Sequence, residues 1–264
     1  MRWLLLRGLV REQRHWLDFP AVFAAGVRGP DDRPTTTLTL DLPGFGTECD
    51  APVPKTVAGF VDDLRVRLRR TVPAGEACGI FAVSLGGMVA LAWLEQYPGD
   101  FAAGVIVNSS LADLSAPWER MRVANWHRIF LAPLLPTRAR ERLLLAMSRR
   151  QGDLERDADR YAAIAAATPP RVASAAAQFR AAMRMRSPSR IDVPTLVLAS
   201  KGDQLVSWRC SERIAARLSL PLRVHEGEGP EAAGHDLPLD APAWVCAQTS
   251  EWLAGFRRPD AAAR

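Results

Sequence analysis

Three side chains that could together break an acyl bond lie far apart in this sequence: Ser84, Asp203 and His235. Ser84 sits in Phe81-Ala82-Val83-Ser84-Leu85-Gly86-Gly87-Met88, where an apolar run over residues 77–83 meets a helical pattern over residues 87–96. A serine at a strand-to-helix junction, with small residues two before and two after, has the form of a nucleophile elbow. Such a turn brings strand and helix so close that side chains at 82 and 86 would collide, and Ala82 and Gly86 respect that. The same junction suits an ordinary helix N-cap serine equally well. The rest of the chain must decide between the two.

An alcohol is a poor nucleophile until a neighbouring base takes its proton. Of the four histidines, His15 falls at the start of the first helix, His127 in a helical stretch and His225 inside a strand. Only His235 lies in a loop between the last strand and the last helix. Its surroundings, residues 229–238, are rich in turn formers. The base in turn needs a carboxylate to fix its tautomer and stabilise the imidazolium. Asp203, just after the fifth predicted strand, is the candidate, because Asp236 is too close in sequence to reach round the ring of His235. Alone, Asp203 would read as a turn residue.

The elements that must position these groups alternate. Strands are expected over residues 3–6, 36–40, 77–83, 104–108, 194–199 and 222–225. Helices are expected over 16–27, 57–68, 87–96, 211–218 and 240–256, with a frayed tail over 257–264. Between the fourth and fifth strands the alternation stops, and four helices are expected in succession over 118–135, 138–150, 154–167 and 170–185. This is an insertion into a mostly parallel sheet of about six strands, flanked by helices on both faces. The expected division is a core of residues 1–112 and 191–264 and a helical cap of residues 113–190. Every polar motif follows a strand, so the motifs converge on the edge of the sheet formed by the strand C-termini, where α/β sheets bind ligands.

Composition narrows the classes. The 264 residues, 48% of them hydrophobic, suit one large α/β domain with an insertion. No apolar run approaches the ~20 residues of a membrane span. The N-terminal Trp3–Leu6 stretch is too short for a signal peptide and is cut off by Arg7. The scattered Cys49, Cys78, Cys210 and Cys246 lack metal-ligand spacing and point to free thiols in a cytoplasmic protein. No Gly-x-Gly-x-x-Gly follows the first strand, which argues against dinucleotide binding. A nucleic-acid role has only a basic segment in its favour, without a binding motif. That segment, residues 113–190, carries 15 arginines against 7 acidic residues, a balance of +8 in a chain of net charge +5.

Taken together, these motifs resemble those of the α/β-hydrolase superfamily, in particular its capped esterases and lipases. Arg7-Gly8 followed by Trp16 is similar to the family's His-Gly loop and later tryptophan. Asp41-Leu42-Pro43-Gly44-Phe45-Gly46 matches its Asp-x-Pro-Gly-x-Gly loop, Ala82-x-Ser84-x-Gly86-Gly87 its elbow, and Gly234-His235 its histidine loop. The order Ser84, Asp203, His235 is the family's order. The resemblance implies a cofactor-free, metal-free serine hydrolase of carboxylic esters or thioesters. By position, it assigns the oxyanion-stabilising backbone N–H groups to Leu9 and Leu85. Two departures stand out. Arg7 replaces the usual histidine, where it would bind a substrate carboxylate or point outward. The strand feeding the oxyanion loop comes within the first few residues, so the usual antiparallel edge is not expected.

The insertion falls where the family carries its lid. Trp118, Trp126 and Phe130, with Leu134 and Leu135, are candidates for an acyl pocket, although their helical spacing favours packing within the lid. The resemblance extends to the pimeloyl-acyl carrier protein methyl ester esterases, which implies docking of an acidic carrier protein on basic lid residues. Arg138, Arg142, Arg149 and Arg156 would form that face, unless they are a solvated surface with intrahelical pairs such as Arg138 with Glu141. Two other readings stay open: the same triad used for perhydrolysis, acyl transfer or C–C bond hydrolysis, and a non-catalytic binding protein of this fold.

Overall fold

Strands buried on both faces need apolar side chains at odd and even positions alike. β1 (Arg2–Leu6), β3 (Cys78–Val83), β4 (Ala103–Val107) and β5 (Thr195–Ser200) meet that demand. The computed structural model describes residues 1–29, 32–73 and 75–255. With β2 (Thr36–Thr39) and β6 (Leu222–His225), these strands form a six-stranded sheet in the order β2-β1-β3-β4-β5-β6, every neighbouring pair parallel. The expected tail, 257–264, and Phe256 lie outside the described residues.

Alternate side chains divide between two cores. Leu4, Leu6, Ile80, Ala82, Ile106 and Val197 face one side, under α2 (Val57–Thr71), α3 (Leu85–Gln96) and α9 (Trp208–Leu218). Trp3, Leu5, Phe81, Val105 and Leu198 face the other, under α1 (Phe19–Gly26) and α11 (Pro242–Ala254). Phe81 anchors this second core, with ring centroids 5.0 Å from Phe23 and 5.4 Å from Phe19.

The helix expected over 16–27 is shorter than its pattern. A 3-10 turn, Gln13–Trp16, ends at Leu17 (φ 50°), and α1 starts at Phe19. Pro20 explains this: it is tolerated in a first turn, but inside a longer helix it would lack an N–H and clash with the preceding turn.

All elements between β4 and β5 are helical, but the first expected helix, 118–135, is broken. It becomes α4 (Pro117–Arg120), a 3-10 turn, α5 (Trp126–Leu131) and a second 3-10 turn. Tertiary hydrogen bonds outcompete its helical propensity. Arg120 turns inward to the carbonyls of Ala182 (2.6 Å) and Met183 (3.2 Å), Arg122 N–H donates to Leu205 O (2.9 Å), and Asn125 Nδ2 donates to Gln204 O (2.6 Å). α6 (Thr137–Ser148), α7 (Leu154–Ala167) and α8 (Val172–Arg184) follow nearly as expected. The interior between α6 and α7 is filled by Leu145, Ala158 and Tyr161.

Trp118, Trp126 and Phe130 therefore do not pack inside this segment; they are 60%, 39% and 75% exposed. Because Phe130 and its neighbour Leu134 are so open, Phe130→Ser and Leu134→Ser are each expected to change stability by less than ~0.5 kcal/mol, read from urea midpoints. A larger loss would mean that these side chains are covered in solution.

The arginines are also differently employed. Arg138 pairs between helices with Glu155 (2.9 Å) and Asp159 (2.5 Å), and Arg142 pairs with Glu155. Glu141, instead of meeting Arg138, turns inward to Arg11 at 2.7 Å. Arg149 is not free on the surface: its side chain is largely buried between Asp157 and Asp240. Among the described residues, no helix is long and apolar enough to cross a membrane. The four cysteines are unpaired, and Cys49 alone is not buried.

Candidate active site

The strand order creates a switch point. From β1 the chain crosses to β2 on one side, then returns to place β3 on the other. The crevice at the C-terminal ends of β1 and β3 is where such sheets bind ligands. Arg7-Gly8 leaves β1 there, and Ser84 leaves β3.

Ser84 adopts φ 58° and ψ −118°, a conformation costly for a residue with a Cβ. Its N–H donates to Val107 O (2.9 Å), and its carbonyl accepts from Ser109 Oγ (2.9 Å). Although it occupies the N-cap position of α3, its hydroxyl makes no capping hydrogen bond. The N-cap alternative therefore loses its physical content. A Cβ on Gly86 would stand 2.6 Å from Arg7 O and 2.7 Å from Leu6 O, so α3 starts hard against the end of β1.

His235 and Asp203 meet. His235 Nδ1 lies 2.7 Å from Asp203 Oδ2, and both side chains are buried. The other Asp203 oxygen accepts from the N–H groups of Leu205 (2.8 Å) and Val206 (2.9 Å), which fixes the carboxylate. With Nδ1–H donating to Asp203, Nε2 is left as the acceptor. Burial works against the charged imidazolium, but the charge and hydrogen bond of Asp203, aided by Asp236, outweigh it and raise the His235 pKa above its usual value. The remaining histidines are used otherwise: His15 is buried against Tyr161, His225 packs on Trp244, and His127 is exposed. Among the described residues, Ser84 Oγ and His235 are not joined by a hydrogen bond; such contacts are often long until substrate is bound.

Several positioning groups escaped the sequence reading. Asn108, at φ 45° after β4, donates through Nδ2 to Gly234 O (3.2 Å) and His235 O (2.9 Å), while its Oδ1 accepts from Ser200 N–H (3.0 Å). One amide thus ties the histidine loop to the ends of β4 and β5. Asp240 accepts from Gly234 N–H (2.7 Å) and Arg149 Nε (3.1 Å). Gln178, fully buried in α8, accepts from Val10 N–H (3.2 Å) and donates to Pro43 O (3.1 Å), so the inserted helices hold the loop after β1. A lone glutamine in an Ala-rich helix was the one available signal. Asp41 is likewise a clasp, accepting from the backbone of Gln13 (2.6 Å) and Thr47 (2.8 Å).

Gly8 lies directly against Ser84; a Cβ there would stand 3.0 Å from Ser84 Cβ and 3.5 Å from Oγ. Neither Leu9 nor Leu85 donates its N–H to another of the described residues. Gly8→Ala is expected to lower kcat on an activated ester by at least ~10-fold with little change in thermal midpoint, because displacement at a reacting centre costs rate before it costs stability. Contrary to both expectations, Arg7 is neither open to a substrate carboxylate nor pointed outward. Its guanidinium is buried in a two-pronged pair with Asp236, at 2.8 and 2.7 Å.

Clefts of about 280 and 20 Å³ are present, the first lined by Val22, Arg149, Arg156 and Leu239, the second by Arg11, His15 and Phe45. Neither includes Ser84 or the expected pocket residues Trp118, Trp126 and Phe130. Among the described residues, no cluster of three or more His, Cys, Asp or Glu side chains could hold a metal ion.

Comparison with curated proteins gives no match. Solved structures share the fold at low identity. A hydrolase from Pseudomonas aeruginosa PA01 aligns with a TM-score of 0.71 and 20% identity, over 96% of this chain and 89% of that one. The esterase EaEST from Exiguobacterium antarcticum gives 0.71 and 12%, over 96% and 91%. The type II thioesterase BorB from the borrelidin biosynthetic cluster gives 0.65 and 15%, over 96% and 92%. The alpha/beta hydrolase family model matches residues 3–248, and with the parallel sheet and strand-end loops described above the chain belongs to the alpha/beta hydrolase family.

Proposed function

We propose that this protein is a serine hydrolase that cleaves a carboxylic ester or thioester of a small molecule. The observation that carries the reading is the buried 2.7 Å contact of His235 Nδ1 with Asp203, at the same sheet edge as a strained, uncapped Ser84. Ser84 Oγ attacks the acyl carbon as His235 Nε2 takes its proton. The N–H groups of Leu9 and Leu85 stabilise the oxyanion, each worth ~3–4 kcal/mol in the transition state. His235 then passes the proton to the leaving alcohol or thiol, which departs and leaves an acyl-Ser84. Water, deprotonated by His235, releases the acid and restores Ser84. Asp203 holds His235 in the required tautomer throughout.

The similarity to an esterase and a thioesterase supports both leaving-group classes. A carrier-protein substrate is not part of this reading: of the four arginines expected to form its docking face, Arg138, Arg142 and Arg149 pair with Glu155, Asp159, Asp157 and Asp240, which leaves Arg156, at the cleft of about 280 Å³, without a face around it. Unpaired cysteines fit a cytoplasmic setting. The test is active-site labelling with a fluorescent fluorophosphonate: wild type labelled and Ser84→Ala blank is the expected outcome. Unlabelled, folded wild type would replace this reading with a non-catalytic one.

A further inference from the structure

The Arg7–Asp236 pair asks for an explanation that fold stability does not supply. Both residues are 5% exposed, and both guanidinium prongs are committed to the two carboxylate oxygens. Buried ion pairs are weak contributors to stability compared with apolar packing. Asp236 also forgoes a cheaper use: it is the N-cap residue of α10 (Leu237–Asp240), yet its side chain makes no capping bond.

The location is more telling. Arg7 precedes Gly8 and Leu9, the loop that touches Ser84, and its carbonyl packs on the first turn of α3 at Gly86. Asp236 follows His235 directly, and its N–H donates to Ser148 O (2.8 Å) at the end of α6. The guanidinium also stacks on Trp16, 4.6 Å from the ring centroid, which fixes its plane. One pair thus joins the loop beside the nucleophile to the loop carrying the base.

We propose that Arg7 and Asp236 are positioning residues that hold the Gly8-Leu9 loop and His235 in register over Ser84, a role that rests on the serine-hydrolase reading. Neither side chain touches the reacting atoms. The pair also presents two opposite charges to His235. The groups facing that imidazole are Asp203 after β5, Asp236 before α10 and Arg7 after β1; the two carboxylates raise its pKa and Arg7 lowers it, against a background of burial. Asp236 in turn faces Arg7, Arg149 and Arg11.

This gives a signature that a purely structural pair would lack. The profile of kcat/KM against pH on p-nitrophenyl acetate is measured for Asp236→Asn, Arg7→Met, Arg7→Lys and the apolar double variant Arg7→Met/Asp236→Leu. Each is expected to lose kcat on the order of 10²-fold with KM nearly unchanged, as for misplacement of a reacting group. The acidic limb should move down in pH for Asp236→Asn, up for Arg7→Met, and stay near wild type for Arg7→Lys and the double variant. Where Asp236→Asn or Arg7→Met fails to fold, Arg7→Lys and the double variant decide. A double variant or Arg7→Lys with wild-type kcat, or folded Asp236→Asn and Arg7→Met variants with unshifted limbs or full kcat, would overturn the role. Fluorophosphonate labelling of wild type separates the two levels: labelled wild type with indifferent variants removes only the pair's role, whereas unlabelled wild type removes the hydrolase reading and the role with it.

Discussion

Ser84→Ala is expected to lower kcat on any accepted ester by ~10⁶-fold, to the residual rate that oriented binding and oxyanion donors sustain. The loss should appear with no change in KM and no loss of fold, because the Ser84 hydroxyl makes no capping bond that alanine would forfeit. Stability offers an independent readout of the same residue. At φ 58° a side chain is strained, and alanine inherits that strain while glycine does not. Ser84→Gly should therefore be ~1 kcal/mol more stable than Ser84→Ala, as measured by chemical denaturation. Equal stabilities would mean that the elbow relaxes in solution, and substantial activity in Ser84→Ala would remove Ser84 as nucleophile.

Asp203→Asn is expected to cost ~10⁴-fold in kcat: the Leu205 and Val206 N–H groups hold the amide oxygen, so the NH2 faces Nδ1 and selects the wrong tautomer, and an amide cannot balance an imidazolium. The pH profile carries the sign. His235 must be neutral to act as base, and its pKa in the wild type is raised: burial lowers it, and Asp203 more than reverses that. The acidic limb of kcat/KM should lie above the ordinary histidine value of about 6.5. In Asp203→Asn the burial effect is no longer offset by this carboxylate, so the limb should move down. The linkage to stability runs the same way. A raised folded-state pKa contributes stability that is present below the unfolded value and lost as pH rises through the folded one. The gap in thermal midpoint between wild type and Asp203→Asn should accordingly be wider at acidic than at alkaline pH. A limb that stays in place would mean that Asp203 does not set the base.

Local pattern determined a good deal here. The six strands were legible to within about a residue at each end, because buried strands are runs of apolar residues cut off by turn formers. The placement of Ser84 and His235 at one sheet edge was legible because the elbow constrains its flanking residues sterically and because each polar motif follows a strand. The sequence by itself thus specified the elements, the edge at which they converge and the residue types gathered there.

The tertiary structure decided what depends on partners distant in the chain. Strand order, which puts the switch point between β1 and β3, has no local signature. The helix expected over 118–135 broke because Arg120, Arg122 and Asn125 found hydrogen-bond partners some 60–80 positions away or more, and those bonds exceed the small propensity differences that periodicity reports. Asn108, Gln178 and Asp240 were invisible for the same reason: each acts through an amide or carboxylate whose partners only the fold supplies. Arg7 is the clearest case. Its position was recognised as a departure, but whether it faced a ligand or solvent depended on Asp236, 229 residues away, and burial beside that carboxylate removed both options.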